Sequence, residues 1–183
     1  ADVKLLDNIT PTGAGHINAT KINTKALRID PQNSDYKSIV DDIKLNGDPS
    51  GNKTEQLMQD LLGQDGYEAV IDPHLPGNQG FDNVLIKRDA SGNITDVIIN
   101  ESKQVSGTGT ISLSSNVSGC NNCTQMSEDW IQHTIDRMSD LNQNGNNLNL
   151  QNLGNELNSF YQNNQITQLV SGVNKTSGEL VIL

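Results

Sequence analysis

"GFDNVLIKRDASGNITDVIINESKQ", residues 80–104, decides how this chain is read. Runs rich in Val, Ile and Leu flank "DASGN", a turn composition, so "DNVLIKR" and "ITDVIINESKQ" read as the two strands of a β-hairpin. The second strand ends on Glu101-x-Lys103. Side chains alternate faces along a strand, so Glu101 and Lys103 project to one side while Ser102 points to the other. A carboxylate and an ammonium at the end of an apolar strand are costly if buried alone, and so need each other, water or a metal ion. Asp82 opens the first strand. Strict pairing about the turn is expected to leave it near the far end of a long hairpin, so the loop before it, or a less regular pairing, has to bring it to Glu101.

Working outward, "SDYKSIVDDIKLNG" carries Tyr36, Ile39, Val40 and Ile43 at helical spacing, with Ser34 or Asp35 as cap and Gly47 as stop. "NKTEQLMQDLLGQDG" reads as a second helix with a Leu57, Met58, Leu61, Leu62 stripe and Glu55 in its first turn. "YEAVID" is expected to be a short strand, and "PHLPGNQG", with two prolines and two glycines, a loop. Beyond the hairpin, residues 105–124 are rich in Ser, Gly and Thr, which predicts a functional loop or a small extra hairpin. "SEDWIQHTIDRMSDL" is a helix capped by Ser127 with a Trp130, Ile131, Ile135, Met138 stripe. Trp130 is therefore a core residue, although a base-stacking role uses the same residue type. An Asn/Gln-rich segment, 142–164, includes a helical "LGNELNSFY", and "ITQLVSGVNKTSGELVIL" reads as two strands around "NKTSG". Residues 1–34 read as an irregular lead-in with one strand. The order is mixed, and the fold class is α/β (α+β).

At 183 residues the chain makes one unit with a real core. Net charge is -10, so the molecule as a whole repels a polyanion, and nucleic-acid binding would need a local basic patch or metal ions. Lys4, Lys21, Lys25, Arg28, Lys37 and Lys44 cluster in the first quarter and could supply that patch. No stretch is apolar for long enough to cross a bilayer, so no membrane insertion is expected within this fragment. The chain begins at Ala1, as a processed product or a piece of something larger would. "CNNC", Cys120 and Cys123, lacks a second CxxC or a suitably spaced His. It reads as a polar loop with two incidental thiols or a local disulfide, against half of a zinc site or a redox pair.

If Asp82 and Glu101 converge, they offer the oxygen ligands that Mg²⁺ takes, with Mn²⁺ or Zn²⁺ as alternatives. Phosphodiester cleavage uses such a set: the metal neutralises phosphate charge and lowers the pKa of the attacking water, and a lysine orients that water. Glu55 could add a third carboxylate. "NKTEQLMQDLL", "GNQGFDNVLI", "VIINESKQ" and "QMSEDWIQHTI" together resemble the helix, Asp strand, Glu-x-Lys strand and following helix of the PD-(D/E)xK, or restriction-endonuclease-like, nucleases. The last of these, with the ending "LVSGVNKTSGELVIL", is similar to nuclease domains at the C-termini of bacterial polymorphic toxins, including contact-dependent growth inhibition toxins.

The resemblance covers 51–183 and implies a central mixed sheet flanked by helices, with residues 1–50 as a lead-in segment packing on that core. It implies catalytic Asp82, Glu101, Lys103 and Glu55, with Asp82, Glu101 and Glu55 as metal ligands. Gln125 enters through the toxin-type motif as a substrate contact; Gln104, next on the strand, and His74, in the preceding loop, are further candidates. The implied protein is a metal-dependent endonuclease effector, carried by a secreted or cell-surface protein and acting in the target-cell cytoplasm on DNA or tRNA, with DNA favoured. A cognate immunity protein is the implied partner. The alternative of another class is a non-catalytic binding domain of a secreted adhesin, which suits the Asn/Thr/Ser-rich composition and a pI near 4.5.

Overall fold

In chain order the computed structural model, which describes residues 21–23, 28–29, 34–77, 79–107, 109–115 and 117–182, runs β1 (Lys21–Asn23), β2 (Arg28–Ile29), α1 (Ser34–Asn46), α2 (Asn52–Gln64), β3 (Glu68–Ala69), β4 (Asn83–Arg88), β5 (Ile94–Ser102), β6 (Thr110–Ser112), α3 (Glu128–Ser139), α4 (Leu148–Gln162), β7 (Ile166–Val173) and β8 (Leu180–Ile182). The fold is mixed α+β with a mixed central sheet flanked by helices. Six strands lie in the order β2-β8-β7-β5-β4-β3, and β1 pairs with β6 in a separate two-stranded ribbon. The β4–β5 hairpin about "DASGN" and the β7–β8 pair about "NKTSG" form as the sequence predicts. Between them, β5 and β7 run parallel, the one parallel pairing of the described sheet. A parallel pair needs a long crossover. Here β6, α3 and α4 supply it.

Alternation along the strands divides the core into two layers. On β5, Val97 and Ile99 face α3 and α4, where they meet Val84, Ile86, Val170, Ile131, Ile135 and Leu157. Ile98, with Leu85 and Leu169, faces the other way onto Leu57, Met58 and Leu62 of α2 and Tyr36, Val40 and Ile43 of α1. Both faces of the central strands are covered, which is why these strands read as continuous apolar runs. The same alternation carries on past Ile99: Glu101 and Lys103 inherit the α3 side, Asn100, Ser102 and Gln104 the α2 side.

Several elements differ in extent from their sequence reading. "YEAVID" is strand only at Glu68–Ala69. The helix around "LGNELNSFY" is longer, because Asn147 accepts from the backbone N–H of Asn149 and Leu150 and starts the helix at Leu148. Among the described residues of 105–124, β6 pairs with β1 from the lead-in, and a tight turn follows in which Val117 bridges Cys123. Cys120 and Cys123 form a disulfide with Cα atoms 5.5 Å apart, so of the two bland readings the structure takes the local bridge. The lead-in holds two short described strands where one is expected, and residues 1–20, 24–27 and 30–33, including Lys4 and Lys25, lie outside the described residues. Among the described residues no helix is long and apolar enough to cross a membrane.

The end of β5 is gripped from two sides at glycines. A Cβ on Gly51, which also has φ 78, would sit 2.3 Å from the Ser102 carbonyl oxygen, and one on Gly172 would sit 2.4 Å from that of Lys103. Neither obstacle is a flexible side-chain tip, so the strand itself would have to move. Gly172→Ala is expected to cost about 1–3 kcal/mol of stability through overpacking. Gly63→Ala, in an exposed helical position with open space around it, should instead gain about 0.5–1 kcal/mol. Urea unfolding of the two variants beside the parent checks both signs.

Candidate active site

Antiparallel pairing places the beginning of one hairpin strand beside the end of the other. Asn83 pairs with Asn100, and a one-residue register shift between Lys87 and Arg88 moves the start of β4 one place along β5, so Asp82 falls opposite the Glu101–Ser102 step. Of the two routes expected to bring Asp82 to Glu101, the structure takes the less regular pairing: both residues lie at the far end of the hairpin, and the bulge sets them opposite each other. Asp82 is held there by its Oδ2, which accepts from the Ser102 backbone N–H at 2.9 Å.

Glu101 is 1% exposed. Its Oε1 accepts from Lys103 Nζ at 2.5 Å and from Gln125 Nε2 at 2.7 Å. Its Oε2 is buried and no donor of the described residues reaches it. Burial raises the Glu101 carboxyl from 4.5 to about 8, the nearby Asp82 charge and a hydrogen bond to Asp82 push the same way, and Lys103 pulls back. Two carboxyl groups meeting in a buried place favour either a shared proton or a cation between them.

Gln125 reaches Glu101 because of an unusual turn into α3. Its backbone N–H donates to the Ser114 carbonyl, and its Oε1 accepts from the Ser114 N–H at 3.0 Å, leaving Nε2 for Glu101. The next residue, Met126, is fully buried yet has φ 66, a left-handed conformation that non-glycine residues rarely adopt. Ser127 then caps α3, its side chain accepting from Trp130 N–H, as its sequence position predicts. Gln125 thus lies in the site, but its side chain is engaged in orienting Glu101.

Asp82, Glu101, Lys103 and Gln125 line one cleft of about 450 Å³. Its remaining wall comes from Gln79 and Gly80, from Ser114, Ser115, Val117 and Ser118, and from Trp130, His133, Thr134 and Arg137 of α3. Trp130 is 3% exposed and packs edge-on against Phe81 at 5.3 Å, which makes it a core residue that closes the floor.

Three other candidates lie elsewhere. Gln104 follows the alternation to the α2 side, where its Oε1 accepts from Asp48 N–H at 2.9 Å. Asp48 in turn caps α2, accepting from the backbone N–H of Lys53 and Thr54. Gln104 therefore docks α2 onto the strand end. Glu55 does not line the cleft, although burial and the Asp82 charge raise its carboxyl, with His74 opposing. His74 is 3.4 Å from Asp72 and is likewise outside the cleft. Among the described residues no group of three or more His, Cys, Asp and Glu side chains is placed to hold a metal ion. The pair that meets is Asp82 and Glu101.

Sequence reading missed the α3 wall. His133 and Arg137 stand one helical turn apart and follow Trp130 at the i+3 and i+7 positions, so a helical projection carried past the apolar stripe would have set them on its edge. Asp48 was hidden because a cap from outside the helix leaves no mark at the N-cap position itself.

No protein-family model matches the chain. No curated protein and no solved structure matches it either. Function has to be read from the chemistry of the site itself.

The raised Glu101 carboxyl has a consequence for stability. Between 4.5 and about 8 the folded protein keeps a proton that the unfolded chain has lost. Stability therefore falls as pH rises through that window, on the order of 1.4 kcal/mol per pH unit while the proton difference is complete. Glu101→Gln, neutral at every pH, should remove this slope and be the more stable protein at its upper end. Denaturant midpoints across the window in EDTA test it; parallel profiles for parent and variant would count against the buried proton.

Proposed function

We propose that the chain is a divalent-metal-dependent nuclease, with Asp82, Glu101 and Lys103 as its catalytic residues. The observation that carries this reading is the buried Glu101 carboxyl group, which meets Asp82 and receives no donor at Oε2 while Lys103 and Gln125 hold Oε1. A purely structural ion pair gains nothing from a second carboxylate beside it. A hard cation does, since Mg²⁺ takes one or two protein carboxylates and completes its shell with water and phosphate oxygens. The two converging ligands are oxygens, which favours Mg²⁺ or Mn²⁺ over Zn²⁺. Glu55, outside the cleft but close enough to Asp82 to feel its charge, is an outer member of the acidic group.

The residues divide the work by position. Asp82 and Glu101 would hold the ion through their carboxylate oxygens. Gln125 fixes the rotamer of Glu101. Lys103, with its side chain 24% exposed, faces the cleft where it can orient a water or steady phosphate charge. A bound divalent ion would neutralise the phosphate and acidify the attacking water. The chain order α2, β4, β5, α3, with Asp82 and Glu-x-Lys at one end of an antiparallel hairpin, supports a restriction-endonuclease-like core. The toxin-type "QMSEDW" start of α3, whose Gln125 touches Glu101, supports an effector domain of a secreted or surface protein that cuts target-cell DNA or tRNA. A cognate immunity protein in the producing cell goes with that reading.

Purified protein incubated with plasmid DNA and with total tRNA should cut one of them in Mg²⁺ or Mn²⁺ and neither in EDTA. Glu101→Ala and Lys103→Ala should each abolish the cut. Metal should also raise the melting temperature of the parent, by the equivalent of about 2.7 kcal/mol at a hundredfold excess over Kd, and leave Glu101→Ala unmoved. Intact substrates in every metal, with no thermal shift, would favour the adhesin-type binding domain.

A further inference from the structure

Among the described residues, Arg137 is a cation without a carboxylate partner that lies in the cleft itself. In a molecule of net charge -10, four of the cations whose side chains the structure describes pair with carboxylates. Lys37 pairs with Asp41, Lys53 with Asp42, Arg88 with Glu68 and Lys103 with Glu101. Lys87 lies over the Tyr67 ring. Arg137 lines the cleft that holds Asp82 and Glu101, and among the described residues it pairs with no carboxylate.

The guanidinium is nevertheless held in place. Its Nη1 donates to Gln79 Oε1 at 2.8 Å, a neutral acceptor that fixes direction without cancelling charge. Gln79 is itself fixed by two backbone hydrogen bonds with Leu75, in the loop that leads into Asp82. One turn back on α3, His133 lines the same cleft, and its Nε2 is buried without a partner. A directed, uncancelled guanidinium facing a carboxylate pair is an arrangement suited to an anion that bridges them, and its planar fork matches phosphate oxygens.

Resting on the nuclease reading, we propose that Arg137 is a substrate-binding residue that grips a backbone phosphate of the nucleic acid, with Gln79 as its positioning residue. Asp82 and Glu101 would hold a metal at the reacting phosphate, and Arg137 grips the strand at another phosphate along the cleft. This explains how so acidic a chain can bind a polyanion. A single cation set in a concave site, where its field is focused, acts where the overall charge does not.

The test is binding without cleavage: fluorescence anisotropy of a short labelled DNA duplex and of labelled tRNA, in EDTA, across a series of NaCl concentrations. Arg137→Ala is expected to weaken the tighter of the two probes about tenfold, the loss of one charge-assisted contact. It should also lower the slope of log K against log salt by about one. Arg137→Lys should restore the slope and only part of the affinity, since a point charge replaces the fork. Gln79→Ala, which keeps the charge, should weaken binding with the slope unchanged. Wild-type affinity and slope in Arg137→Ala, or no binding of either probe by the parent, would overturn the proposal. Normal binding that depends on Arg137, in a protein that cuts nothing in any metal, would uphold the phosphate grip while sinking the nuclease assignment.

Discussion

Burial of the Glu101 carboxyl at the end of β5 is the constraint around which the rest of the structure is arranged. A carboxyl group 1% exposed, with another beside it, is unfavourable by several kcal/mol unless every neighbour is chosen to offset it. Lys103 and Gln125 donate to one oxygen, and no donor of the described residues reaches the other. An arrangement this expensive is kept where it serves chemistry, since strongly perturbed titratable groups gather at functional sites.

Holding that carboxylate in register draws on elements from most of the described chain. Antiparallel pairing sets Asp82 opposite it, parallel pairing of Glu101 with Val170 of β7 anchors its backbone, and the Ser114–Gln125 clamp fixes its side chain. On the opposite face, Asp48 caps α2 and takes Gln104 as its backbone partner, so α2 is tied to the strand two residues past Lys103's other neighbour, Ser102. Gly51 and Gly172 let these neighbours approach the carbonyls of Ser102 and Lys103. Two disconnected core layers thus meet the site from both sides, and the strand end is the place where both are felt.

Much of this was legible beforehand because it rests on local periodicity. The hairpin, the α2 and α3 stripes and the Ser127 cap follow from spacing alone, and so does the common face of Glu101 and Lys103. The exact placement of Asp82 was not legible, because it depends on the one-residue register shift between Lys87 and Arg88, which no local pattern marks. The β1–β6 ribbon was not legible, since the two strands are short, far apart in sequence and marked by no pattern.

By itself the sequence determined which residues share a face and which segments are helix or strand, because those depend on the period of a few consecutive side chains. Tertiary structure alone decided what meets across the chain. It set Gln125 in the cleft with a hydrogen bond to Glu101, sent Gln104 to the capping network of α2, left Glu55 and His74 outside the cleft, and brought Arg137 to its wall. These outcomes depend on how the crossover through α3 returns over the sheet and on which side chain fills each hydrogen bond there. Neither is written in any short stretch, since each is settled by the packing of elements dozens of residues apart.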